Sequence, residues 1–84
     1  MNWKEQEKKF YNAYYEYITG GSYSNIEDVF LELPENTIMP KVLGDIIQKL
    51  HEYKNNNNMI SWKKLKNLAK LQAKNTIEIL FAYN

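Results

Sequence analysis

Residues 61–83 read SWKKLKNLAKLQAKNTIEILFAY, and the fold turns on whether this stretch is one helix or two. At about 100° per residue, Leu65, Leu68, Ala69, Gln72 and Thr76 share one face, while Lys63, Lys66, Lys70 and Lys74 lie almost opposite them. Ile77, Leu80 and Phe81 are displaced from the first group by roughly a quarter turn. Two arrangements satisfy the pattern. Either one helix rotates into a differently shaped environment, or it breaks near Lys74 and restarts at Asn75-Thr76-Ile77-Glu78, whose spacing suits a capping box. The first completes a small antiparallel four-helix bundle; the second makes a helix-turn-helix of residues 61–83. In both, Ser61 is the N-cap and Trp62 the first helical residue.

Upstream, the spacings give three more helices. Trp3, Phe10, Tyr14 and Tyr17, flanked by Tyr11, Tyr15 and Ile18, recur at helical intervals, and Gly20-Gly21 supplies a stop by adopting the left-handed conformation that follows helix ends. Ser24-Asn25-Ile26-Glu27 has the capping-box form, and Ile26, Val29, Phe30 and Leu33 continue at i, i+3, i+4, i+7 until Pro34 closes a short second helix. Pro40 suits the first turn of a third helix carrying Val42, Leu43, Ile46, Ile47, Leu50 and Tyr53. Gly44 inside that helix costs about 1 kcal/mol against alanine, which points either to a close helix approach, the preferred reading, or to simple tolerance. Asn55 to Asn58 form the polar turn before the fourth helix. The expected helices span about 3–19, 25–33, 40–54 and 61–83, in one domain covering 1–84. No stretch alternates as a strand does, and there is no internal repeat.

Composition narrows the chemistry. Eighty-four residues, 44% of them apolar and 14% aromatic, can build one small core that hides roughly 60–65% of the unfolded surface. The absence of cysteine excludes a disulfide framework, a thiolate nucleophile and a thiolate zinc site. Asn2-Trp3-Lys4-Glu5 offers no apolar leader, and no run of eighteen apolar residues occurs, so a cytoplasmic chain without a transmembrane segment is expected. Residues 1–42 hold four lysines against seven acids, whereas residues 43–84 hold seven lysines against three. Every cation is lysine, and a chain without arginine lacks the planar fork that reads guanine or grips phosphate in pairs.

Catalytic combinations are sparse. His51 is the lone histidine, with no second imidazole or cysteine to complete a metal site, and reads as a surface or boundary residue near a helix end. Ser22, Ser24 and Ser61 fall at turns and caps. Glu27-Asp28 and Glu32 with Glu35 fit helix-dipole partners and a solvated face better than a general acid/base pair. Gly20-Gly21 lacks the lysine and strand of a phosphate loop. A non-enzymatic chain with no cofactor and no metal is expected.

Binding has more to work with. Tyr11, Tyr14, Tyr15 and Tyr17 cannot all face one core, so some are boundary residues or part of a protein-binding patch. The lysine stripe of the fourth helix admits three roles: a solvated face, a contact with an anionic membrane leaflet, or a positioning contact with nucleic-acid phosphate. The candidate partner-binding residues are Trp62, Lys63, Lys66, Lys70, Lys74 and Tyr83. As a recognition helix, Thr76 to Tyr83 carries few base-reading side chains.

The ordered signals resemble a known family. The helix with Phe10-Tyr11-Asn12, the Ser22-Tyr23-Ser24-Asn25-Ile26 entry to the second helix, Pro40 leading Leu43, Ile46, Ile47 and Leu50, and the Asn55–Asn58 turn before Ile60-Ser61-Trp62 are similar to pediocin-like bacteriocin immunity proteins of the enterocin A type. The resemblance implies a cytoplasmic antiparallel four-helix bundle that protects its producer through the sugar-phosphotransferase membrane permease, the receptor of the bacteriocin. It also implies that the end of the fourth helix and the tail, Lys70 to Asn84, decide which bacteriocin is recognised. The alternatives are a small helix-turn-helix DNA-binding regulator, or a phage- or plasmid-type helical inhibitor of a host protein.

Overall fold

The structure, a computed structural model, describes residues 2–84. It contains α1 (Trp3–Ile18), α2 (Ser24–Leu31), α3 (Leu43–Asn55) and α4 (Trp62–Tyr83), with a short 3₁₀ turn at Asn57–Met59 before α4.

The fourth helix does not break. Leu65, Ala69, Gln72, Ala73, Thr76, Ile77 and Leu80 are buried along it, a continuous succession of three- and four-residue steps. Of the two arrangements the spacing leaves open, the break near Lys74 and the helix-turn-helix that depends on it are therefore not formed. Two side chains account for the apparent change of phase: small Ala73 belongs to the buried stripe, and large Phe81 does not, being 65% exposed. The Thr76 hydroxyl donates to the Gln72 carbonyl at 2.7 Å instead of capping a new helix, and Asn75 Nδ2 donates to Gln72 Oε1 at 3.4 Å. Ser61 caps α4 as the sequence suggests, its Oγ accepting from Lys64 N at 3.2 Å.

The other helix ends differ from expectation in smaller ways. At the end of α1, Gly20 has φ +119°, Gly20 N donates to Tyr17 O and Gly21 N to Glu16 O, which together form a Schellman closure. Ser24 does not form a capping box. It is already helical, and its N–H bonds to Ser22 Oγ at 3.2 Å. The second helix ends at Leu31, although Leu33 still reaches the core. Pro40 leads the third helix from outside: Leu43 N to Pro40 O and Gly44 N to Lys41 O are three-residue bonds that wind the chain tightly before α3 proper. Gly44 marks no close approach, because a Cβ there would meet nothing within 4 Å.

Contacts give the directions of the helices. Tyr17 meets Tyr23 while Lys9 meets Glu32, so α2 returns antiparallel along α1. Lys54, at the far end of α3, and Asn57, just beyond it, reach the last carbonyls of α1, which makes α3 run with α1. Trp3 meets Phe81 and Tyr11 meets Lys70, so α4 runs against it. The result is an up-down-up-down bundle in which α1 touches the other three helices. Phe10, Tyr14, Ile18, Ile26, Leu50, Ala69 and Leu80 form its fully buried centre. Tyr14 and Tyr17 are inside, whereas Tyr11 and Tyr15 lie half-buried, stacked with their ring centroids 6.0 Å apart.

Candidate recognition surfaces on the fourth helix

The two helices that flank α4 divide its candidate residues. On the α1 side, Trp62 is 64% exposed and Lys66 Nζ lies 5.4 Å from its indole centroid. Lys70 Nζ lies 5.8 Å from the ring of Tyr11, and Lys63 and Lys74 are exposed along the same flank. Trp62, Lys63, Lys66, Lys70 and Lys74 thus form one basic, aromatic surface. Tyr83 does not join it.

Tyr83 instead faces α3. There a groove of about 390 Å³ runs between Val42, Asp45, Ile46 and Lys49 on one wall and Gln72, Asn75, Glu78, Ile79, Ala82 and Tyr83 on the other. Its apolar character comes from Val42, Ile79, Ala82 and Tyr83, with carboxylates at Asp45 and Glu78 and an ammonium at Lys49. Gln72, only 1% exposed, is fixed by donating to the Tyr53 hydroxyl at 3.3 Å and accepting from Asn75. This polar clamp holds the groove wall at one register. Sequence spacing missed the groove because Val42 and Ile46 have the signature of core positions. Val42 is nevertheless 41% exposed, since α3 begins only at Leu43.

A second missed cluster joins α1, α2 and α3. His51 Nδ1 shares a hydrogen bond with the Tyr17 hydroxyl, and the Tyr23 ring stacks on the imidazole with centroids 5.8 Å apart. Lys54 Nζ donates to Tyr17 O at 3.2 Å and Gly21 O at 3.0 Å, and sits 4.5 Å from the Tyr17 ring centroid. Desolvation raises the pKa of Tyr17 above the usual phenol value. Tyr23 is raised by desolvation first, then by the negative charge of Glu27 and by Tyr17. Since α1 has no basic residue in its own last turn, Lys54 provides the positive charge its C-terminus favours. The cluster explains the placement of the lone histidine as part of a helix closure.

Three of the remaining polar candidates have local partners. Ser22 Oγ and Ser24 Oγ bond each other at 2.8 Å, and Glu32 pairs with Lys9 at 3.0 Å. Among the described residues, no group of three or more His, Asp, Glu or Cys side chains converges on a metal position. No helix among them is long and apolar enough to cross a membrane. Comparison with known proteins gives no match to a family model, to a curated protein or to a solved structure.

Proposed function

We propose that this chain is a non-enzymatic recognition protein of the bacteriocin-immunity kind, which protects a bacterial cell by contacting a membrane receptor complex from the cytoplasmic side. The observation that carries the proposal is the groove between α3 and α4. All of its α4 wall, Gln72, Asn75, Glu78, Ile79, Ala82 and Tyr83, falls within Lys70 to Asn84, the segment that the sequence resemblance assigns to specificity. An open apolar groove with charges at its edge suits the side chains of a partner helix, whose affinity comes from a few anchoring residues. Ile79 and Tyr83 line one side of such a seat and Val42 the other.

The test is protection. A bacteriocin-sensitive host expressing the chain is challenged with a panel of pediocin-like peptides and compared with empty vector. Selective survival is expected, and it should disappear in Ala82→Trp, which fills the groove from an exposed position without touching the core. Sensitivity to every peptide, with the folded protein present in the cells, overturns the immunity reading. Protection that survives Ala82→Trp moves recognition away from the groove.

A further inference from the structure

The groove leaves the opposite flank of α4 without a role, and that flank carries four of the helix's five lysines. On α1, Lys4, Lys8, Tyr11 and Tyr15 follow one another at steps of four, three and four and so form a single stripe. Lys70 reaches over Tyr11, which joins that stripe to the lysines of α4. Lys4, Lys8, Lys63, Lys66, Lys70 and Lys74 thereby share one face. Among the described residues the one ion pair is Lys9 with Glu32, so no carboxylate within 4.0 Å neutralises any of these six.

Three of the ten acids are on the other side of α1, while Glu7, three residues after Lys4 and four before Tyr11, and Glu78, four after Lys74, border the basic face. Glu16, Asp28 and Glu32 line the shallow cleft between α1 and α2. A chain of formal charge +1 therefore gathers six lysines on one face against two bordering carboxylates, an excess that orients it at a negative surface.

Large apolar groups mark both ends of the basic face. Trp62 is 64% exposed at the start of α4, and Phe81 is 65% exposed near its end, supported edge-on by Trp3 with ring centroids 5.9 Å apart. Phe81 follows Trp62 by nineteen helical steps, about 28 Å along the axis. Indole and phenyl rings at the ends with flexible ammonium groups between them match the layering of a lipid interface, where rings enter the headgroup region and lysines extend to phosphate. A nucleic-acid backbone would use the same ammonium groups and leave the two exposed rings without a partner.

We infer that the shared flank of α1 and α4 is a docking face for an anionic lipid surface, with Trp62 and Phe81 as shallow anchors and the lysines as the electrostatic contact. The inference is independent of the immunity reading, because a chain that protects no host would dock in the same way.

Vesicle sedimentation tests it with the full chain. Phosphatidylcholine vesicles containing one third phosphatidylglycerol should pull the protein down at low salt and release it at high salt, whereas pure phosphatidylcholine vesicles should not bind it. Each lysine near such a surface is worth about fivefold in partitioning, so Lys63→Glu, Lys70→Glu and Lys74→Glu combined should weaken binding at least about a hundredfold. All three side chains are exposed, and an unchanged circular-dichroism melt confirms that the variant is folded. In a Trp3→Phe background Trp62 is the sole indole, and its emission should shift to the blue on the anionic vesicles. Equal binding to both vesicle types, or binding that the triple reversal leaves intact, overturns the proposal. So does failure to bind vesicles together with salt-sensitive binding to duplex DNA, which would reassign the face to phosphate backbone.

Discussion

The hydroxyls of Tyr14 and Thr76 lie 2.8 Å apart in the fully buried centre of the bundle and tie α1 to α4. Thr76 has one hydroxyl proton and gives it to the Gln72 carbonyl at 2.7 Å, so Tyr14 is the donor in the pair. Tyr14→Phe keeps the ring and leaves Thr76 Oγ1 without its donor. The expected loss in urea unfolding is about 1–2 kcal/mol. Tyr14→Phe combined with Thr76→Val should cost less than the two single changes added together, since the second removes the acceptor that the first stranded.

The same tyrosine makes stability depend on alkaline pH. Burial raises its pKa well above the ordinary value of 10.0. A folded-state pKa above the unfolded one means that the stabilising contribution is complete below about pH 10. It is lost as pH rises further, because only the unfolded chain then releases the proton readily. Unfolding measured between pH 8 and 11 should show wild type losing stability faster than Tyr14→Phe above pH 10. Parallel curves would mean that the phenol is not shielded from water.

The three glycines should respond differently to alanine. Gly20 has φ +119° with open space around it, so Gly20→Ala costs only the strain of the left-handed conformation, about 1 kcal/mol. Gly21→Ala costs more, because its Cβ would sit 2.7 Å from the Glu16 carbonyl oxygen, a backbone atom that cannot swing aside. Gly44→Ala should stabilise by up to about 1 kcal/mol, since nothing lies within 4 Å and the residue is helical. Thermal melts of the three variants give the order directly.

Why some of this was legible in the sequence and some was not follows from the range of the interactions. The stop at Gly20-Gly21, the lead-in at Pro40 and the cap at Ser61 act within a few residues, and each signal carries its own mechanism. The phase of α4 stayed open between one helix and two because spacing alone gives Phe81 a core role and Ala73 none. Burial depends on which neighbours exist, and α1 and α3 together cover a stripe wide enough for alanine. The groove needed the start of α3 placed to within a residue, since that decides whether Val42 packs or lines an opening. The lysine stripe of α4 was visible, but its continuation through Lys4 and Lys8 on α1 required the pairing of two helices more than forty residues apart in the chain.

A smaller tie of the same long-range kind holds the connection between α2 and α3. Asn84 Oδ1 accepts from Ile38 N at 2.8 Å, and its Nδ2 donates to Ile38 O at 3.1 Å and to Leu80 O at 2.9 Å. Asn84→Ala should speed hydrogen exchange at Ile38 by about tenfold while moving global stability by less than about 1 kcal/mol, because the loop is exposed and opens locally. Unchanged exchange at Ile38 would show that water serves that backbone equally well.

The closure of α1 by a distant lysine gives the sharpest separation of charge from packing. Lys54 sets its ammonium over the Tyr17 ring and donates from it to the carbonyls of Tyr17 and Gly21, while Asn57 Nδ2 takes the neighbouring Ile18 carbonyl at 3.1 Å. Lys54→Met retains most of the stem and removes the donor, so any loss reports on the hydrogen bonds and the helix dipole together. About 1–2 kcal/mol is expected, and hydrogen-exchange protection should fall around residues 19–21 before it falls elsewhere. Lys54→Ala should cost more, because the ring of Tyr17 then loses its cover as well. If methionine melts like wild type while alanine does not, the ammonium contributes nothing and the contact is packing alone.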